Sequence, residues 1–227
     1  MLEIKNLELE IGHFKLGQIN FNVKKGEYFI IIGESGNGKT LLLQSIGGYY
    51  ENIKGSIVFD GTDISKKDIE KKNIGVVYQD YGLFPFLNVR DNIAFGLKVR
   101  NYKKKIISEK VSEYIKKFNL SEIKYRYPKN LSGGESQRTA IARALITEPD
   151  ILLLDEPLNS LDSLNKQKII EDLKKINKEL KLTIIHVTHD INEALQLGDR
   201  IGVIKKGKLI RILNVEELKD KNIKNIL

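Results

Sequence analysis

Hydrophobic residues follow two rhythms along this chain. Runs of consecutive apolar or β-branched residues occur at Tyr28–Ile32, Ser56–Phe59, Ile74–Tyr78, Ile151–Leu154, Thr183–Val187 and Ile201–Ile204. Runs without polar alternation predict strands buried on both faces, as in a mostly parallel sheet. Elsewhere the period lengthens. Ile107, Val111, Ile115 and Phe118 recur every three or four residues, as do Ile169, Leu173, Ile176 and Leu180, with lysines and glutamates between them. That spacing predicts amphipathic helices. Asp60-Gly61 and Lys206-Gly207 read as tight turns of antiparallel hairpins at the margins. From Gln79 to Leu145 no strand pattern appears, which predicts a helical subdomain inserted into an α/β core. The expected fold is one domain over residues 1–227, with its core in 1–78 and 146–227 and the helical subdomain in 79–145. Its sheet is mostly parallel with an antiparallel β margin.

Composition narrows the picture. The chain of 227 residues is 41% hydrophobic and 30% charged, which suits a folded domain and argues against a disordered chain. Without cysteine it can build neither a disulfide framework nor a thiolate metal site. Apolar runs such as Phe29–Ile32 and Ile151–Leu154 fall far short of the roughly 20 residues a spanning helix needs. Met1-Leu2-Glu3-Ile4 is not followed by the apolar stretch of a signal peptide. The formal charge of +8 admits a nucleic-acid partner, an anionic membrane surface or a solvated lysine-rich face. Charge runs most often mean the last.

Three segments carry chemistry. Gly33-Glu34-Ser35-Gly36-Asn37-Gly38-Lys39-Thr40 fits the phosphate-binding loop G-x-x-x-x-G-K-[ST], after an apolar strand and before Leu41-Leu42-Leu43. Its glycines let backbone N–H groups turn inward around phosphate oxygens at a helix N-terminus. Lys39 would reach the β- and γ-phosphates and the Thr40 hydroxyl would ligate Mg²⁺. Ile151–Leu154 runs into Asp155-Glu156, acids at the carboxyl end of a predicted parallel strand, where α/β proteins bind ligands. Asp155 would hold Mg²⁺, and Glu156 would act as general base on the attacking water. In Leu131-Ser132-Gly133-Gly134-Glu135-Ser136-Gln137-Arg138, Ser132 and Glu135 fit a capping box for a helix running to Leu145. A cap does not account for Gly133 and Gly134, each costing roughly 1 kcal/mol in a helix. Bare N–H groups at a positive helix end suit an anion.

Leu131–Arg138 resembles the signature motif of ABC-type ATPases, and the other motifs of that family occur in order. Gln79 matches the Q-loop glutamine, Asn159-Ser160-Leu161-Asp162 the D-loop, His189 the switch histidine, and Phe14 stands where an adenine-stacking aromatic is usual. The resemblance covers nearly the whole chain. It departs at Asn159, where serine is usual, at Glu135, where glutamine is common, and at Phe14, where tyrosine is commoner. Neither of the first two removes a group expected to contact phosphate or metal, and Phe14 keeps a stacking face without the hydroxyl. His186 receives no role.

The resemblance implies a P-loop NTPase fold and ATP hydrolysis with Mg²⁺. Gly33–Thr40 and Phe14 would bind nucleotide, with Thr40, Gln79 and Asp155 around the metal. Glu156, His189, Lys39 and Gln79 would be catalytic. It further implies a head-to-tail homodimer in which Ser132, Gly133, Gly134 and Glu135 complete the partner's site. The apolar segment Tyr81–Leu87 would meet transmembrane permease subunits, placing the protein peripherally on the cytoplasmic face of the membrane. An extracytoplasmic substrate-binding protein would be an indirect partner, and no nucleic acid is expected. Gln79–Pro85 and Ile185–Asp190 are similar to ATPases of molybdate and tungstate importers; iron, polyamine and sulfate-type importers share much of this pattern. A soluble ABC ATPase acting on nucleic acid or ribosomes is a second class, and a non-hydrolytic interaction module, which would be expected to lose Lys39, Glu156 or His189, is a third; all three residues are present. With 38 residues after His189, the C-terminal regulatory domain of some importer ATPases is expected to be absent.

Overall fold

The computed structural model describes residues 1–159 and 161–218. Ser160 of the D-loop match and residues 219–227 of the expected domain lie outside the described residues.

Two sheets organise the chain. In the larger, β3 (Tyr28–Ile32), β6 (Ile74–Val77), β7 (Ile151–Asp155), β8 (Thr183–Thr188), β9 (Arg200–Lys205) and β10 (Lys208–Asn214) lie in the order β10-β9-β3-β8-β7-β6. All neighbours in it pair parallel except β9 and β10, the hairpin that turns at Lys206-Gly207. The smaller sheet is antiparallel, in the order β2-β1-β4-β5, from β1 (Leu2–Ile11), β2 (Phe14–Val23), β4 (Lys54–Phe59) and β5 (Thr62–Asp63). Asp60-Gly61 turns β4 into β5.

β1 and β2 have no counterpart among the strands expected from the sequence. β1 does alternate, since Leu2, Ile4, Leu7 and Leu9 are buried, but the alternation slips by one residue at Asn6. The pairing shifts register there and Asn6 takes a φ of 48°. A bulge of this kind hides a strand from any search for strict period two.

Alternation along the buried strands divides the core between two faces. On β3, Tyr28, Ile30 and Ile32 enter one cluster while Phe29 and Ile31 enter the other. The second cluster lies among α1 (Lys39–Gly47), the large sheet and the antiparallel sheet. The first unites the other face with α2 (Val89–Val99), α3 (Lys104–Lys117), α4 (Gly133–Leu145), α5 (Ser163–Leu180) and α6 (Ile191–Leu197). Both helical periodicities appear where the pattern places them. Val111 and Ile115 of α3 and Ile169, Leu173 and Ile176 of α5 are buried, while Leu180 is exposed.

Residues 79–145 contain α2, α3 and α4 and no strand. They connect β6 to its parallel neighbour β7. Parallel order brings the carboxyl ends of β3, β6, β7 and β8 to one edge, and each delivers a segment singled out by motif.

Candidate functional site

The loop after β3 rises through Gly33 to Gly38 and enters α1 at Lys39. Gly38 takes a φ of +94°, and a Cβ built there would lie 2.8 Å from the Phe14 ring. Phe14, at the start of β2, is therefore in contact with this glycine-rich loop. Replacing Gly38 with alanine combines left-handed strain with this clash. We expect a loss of about 2 kcal/mol, a fall in Tm of roughly 4–8 °C, together with weaker nucleotide binding. Thermal melts with and without ATP check this.

A hairpin holds the loop from behind. Asn37 accepts from the backbone N–H groups of Lys206 and Gly207, through its side chain at 2.9 Å and its carbonyl at 3.1 Å. That fixes the loop to the β9–β10 turn.

The chemical groups converge on Lys39, which is 4% exposed. Its ammonium donates to the carbonyls of Gly33 at 2.9 Å and Glu34 at 3.2 Å and lies 3.3 Å from Glu156 Oε1. The other Glu156 oxygen is 3.1 Å from His189 Nδ1 and accepts from the Asn159 amide at 3.2 Å. Glu156 holds a φ of +42° just past the end of β7, with its N–H donating to Val187 at 3.0 Å. A glutamate in the left-handed region is costly, by about 1–2 kcal/mol, so the surrounding contacts hold it there.

Thr40 Oγ1 donates to Asp155 Oδ1 at 2.9 Å. Burial pushes the Asp155 carboxyl pKa up, partly opposed by the Thr40 hydrogen bond. A buried carboxylate with a hydroxyl beside it suits a small hard cation, which would favour the charged form. Among the described residues no cluster of three or more acids, histidines and cysteines could hold a metal. Mg²⁺ fits these two oxygens because it commonly takes one or two protein groups and completes its shell with phosphates and water.

Lys39, Thr40, Glu156 and His189 line a cavity of about 560 Å³ together with Phe14, Ser35, Gly36, Gly38 and Gln79. Gly33, Glu34 and Asn37 line an adjoining hollow that also reaches Ser35 and His189. Ile11, Leu41, Gln44, Tyr50 and Asn159 complete the cavity wall. Of these only Asn159 belonged to a recognised motif. Tyr50 and Gln44 are joined by a 3.0 Å hydrogen bond, and nothing in their local sequence points to a ligand.

Ser132, Gly133, Gly134 and Glu135 line none of this space. They form the N-terminus of α4, where Ser132 N–H donates to Glu135 Oε2 at 2.7 Å and Glu135 N–H to Ser132 Oγ at 3.3 Å. This is the capping box expected from the sequence. Gly134 lies under α5, since a Cβ there would sit 3.0 Å from Asn165 Oδ1. Ser132 itself is exposed.

The sequence model of the ABC transporter family matches residues 16–159. The chain belongs to this family. It is 46% identical to the molybdate/tungstate import ATP-binding protein WtpC of Pyrococcus abyssi, covering 96% of this chain and 63% of that one. It is 43% identical to the spermidine/putrescine import ATP-binding protein PotA of Borrelia garinii subsp. bavariensis, over 96% of this chain and 64% of that one. The chain thus spans less than two thirds of these relatives. The solved dimeric post-hydrolysis state of the ATP-binding cassette MJ0796, bound to ADP and Pi, superposes with a TM-score of 0.84 at 33% identity, covering 95% of this chain and 99% of that one. The cbiO1 subunit of Clostridium perfringens gives 0.87 at 32% identity, over 99% and 93%. Membership settles the fold as that of an ABC ATPase cassette.

Behind His189 lies a buried polar group that the sequence did not reveal. His186, on β8, is fully buried, with Nδ1 3.0 Å from the Tyr28 hydroxyl and Nε2 3.5 Å from Glu193. Glu193 is 3% exposed. Burial alone would raise its pKa, but His186, Lys166 and Thr188 outweigh that and bring it down to about 2. A carboxyl depressed below its ordinary value of 4.5 stabilises the fold above that pH, and the contribution disappears as pH falls toward 2. Glu193→Gln should therefore cost at most about 3 kcal/mol at neutral pH. The gap to wild type should close through that acid window, as denaturant titrations at several pH values would show.

Proposed function

We propose that this protein is the ATP-hydrolysing subunit of an ABC importer, working as a head-to-tail homodimer on the cytoplasmic face of a membrane. One observation carries the reading. Lys39, Thr40, Glu156 and His189 line one cavity, with Asp155 hydrogen-bonded to Thr40, while the N-terminus of α4, with its exposed Ser132, lies outside it. The second half of each site would come from Ser132–Glu135 of the other subunit, whose cap leaves Gly133 and Gly134 N–H groups for phosphate.

Lys39 would leave Glu156 for the β- and γ-phosphates, freeing that carboxylate to take a proton from water. His189, hydrogen-bonded to Glu156, would steady the same phosphate oxygens. Phe14 would support adenine. Thr40 and Asp155, with Gln79 at the cavity rim, would hold Mg²⁺, which neutralises charge on the phosphates when bound. Hydrolysis removes the γ-phosphate that joins the two subunits and so opens the dimer.

The segment Tyr81–Leu87 would receive permease subunits. The Arg143 guanidinium grips the carbonyls of Gly82 at 2.5 Å and Tyr81 at 3.0 Å, and the fully buried Asn92 amide bonds Phe84 and Leu87. The segment is thus held from within while Phe86 stands 71% exposed. Tyr49, Ile69 and Tyr78 are also exposed. Identity to WtpC proteins supports molybdate or tungstate as cargo, delivered by an extracytoplasmic binding protein, and the likeness to PotA keeps a polyamine as the second reading.

Light scattering of Glu156→Gln protein tests the composite site. A dimer should form only with ATP and should be lost when Ser132→Arg is added. A monomer that binds ATP tightly under all conditions would overturn the claim for the isolated subunit.

A further inference from the structure

The buried carboxylate of Glu193 takes no part in the phosphate chemistry above, yet it is tied to both neighbours of His189. The Thr188 hydroxyl donates to Glu193 Oε2 at 2.7 Å and accepts from the Asp190 N–H at 3.0 Å. Lys166 of α5 lies 2.7 Å from Glu193 and 2.6 Å from Asp190, whose carboxylate caps α6. His186 closes the far side at 3.5 Å. The His189 ring, by contrast, is 46% exposed and is steered mainly by its backbone and by Glu156.

We propose that Glu193 is a positioning residue for the hydrolytic step: it locks the turn of residues 188–190 and so aims His189 at Glu156 and the phosphate. Apolar residues could fill the same space without the desolvation cost of a carboxylate and an ammonium. They would not fix the Asp190 N–H or hold α5 to α6. Lys166 follows Asn165, whose side chain packs against Gly134. The turn bearing His189 is therefore braced by the same first turn of α5 that supports the signature segment. Misplacing a reacting group by about 1 Å can cost around a hundredfold in rate.

The inference rests on the proposed role of His189, and a double-mutant cycle separates the two. In wild-type background Glu193→Gln should lower kcat about ten- to a hundredfold with KM for ATP little changed. In a His189→Ala background it should add almost nothing, because both changes remove one function. If His189→Ala leaves kcat unaltered, the reading of His189 fails and this inference with it. If His189→Ala lowers kcat but the two losses multiply, only the Glu193 role is overturned.

Thr188→Val, which removes the hydroxyl at constant shape, serves if Glu193→Gln folds poorly. A readout independent of turnover uses the three histidines of the chain. In ring ¹H–¹³C spectra either variant should shift and broaden the His189 signal and leave His13 unmoved. An unchanged His189 signal in a folded variant refutes the proposal.

Discussion

Glu156→Gln should reduce ATP turnover by about 10²- to 10⁴-fold, the range general-base removal commands, while nucleotide binding is kept or strengthened. The amide preserves the shape of the side chain and one oxygen for the Asn159 amide, which now lies 3.2 Å away. It cannot accept a proton from water. It also releases Lys39 from an ion pair at 3.3 Å, so the ammonium meets phosphate without first parting from a carboxylate. The same substitution relieves none of the backbone strain at φ +42°, so the fold should be little altered. Steady-state hydrolysis and equilibrium ATP titration measure the two effects separately. A loss of less than tenfold would mean that another group activates the water, and the Glu156 contacts to Lys39 and His189 would then be structural.

The two kinds of strand explain how much of this fold could be read from the sequence. β3, β7 and β8 are buried along their whole length, and their unbroken apolar runs announce them. β1 carries the same information in alternating form, but its slip at Asn6 erases the period. β2 interleaves Leu16, Ile19, Phe21 and Val23 with polar residues after a similar break. The glycine-rich loop leading into α1 and the Ser132–Glu135 cap were legible as local structure because both are set by residues within a few positions of one another. The union of Lys39, Glu156 and His189 depends on the order of strands in the sheet, which no local pattern states; only the ordered family motifs hinted at it.

Glu193 lay beyond reach for a related reason. Its partners Lys166, His186 and Thr188 come from α5 and β8, and a glutamate on a short helix looks like any solvated acid. The lysines of α3 and its N-cap illustrate the converse. Lys103, Lys104 and Lys105 are exposed, and Lys110 and Lys117 reach Glu148 and Glu179. Pairs of this kind on open surface contribute little to stability. The basic excess that stood out in composition is, on this face, partly neutralised and remote in sequence from the cavity-lining motifs.

Lys39→Ala should remove both binding and turnover. The ammonium is buried beside two carbonyls and one carboxylate, so its loss strips the Gly33 and Glu34 carbonyls and Glu156 Oε1 of their shared cation and leaves none to offset the phosphate charge. Charge-assisted hydrogen bonds contribute about 1.5–3 kcal/mol each, so losing two to phosphate weakens ATP affinity by roughly 10²- to 10⁴-fold. Turnover should fall below detection. Ser132→Arg should be equally inactive for a different reason, because it spoils the surface offered to the partner while leaving its own cavity intact. Mixing the two inactive proteins distinguishes a composite site from a self-contained one. A Lys39→Ala subunit still presents Ser132, and a Ser132→Arg subunit still presents Lys39, so each mixed dimer regains one whole site. Random pairing then restores roughly a quarter of wild-type activity if the sites act independently. No recovery, with mixed dimers verified by mass, would mean that two intact sites must fire together. Full activity in Ser132→Arg alone would mean that the cavity around Lys39 needs nothing from a second subunit.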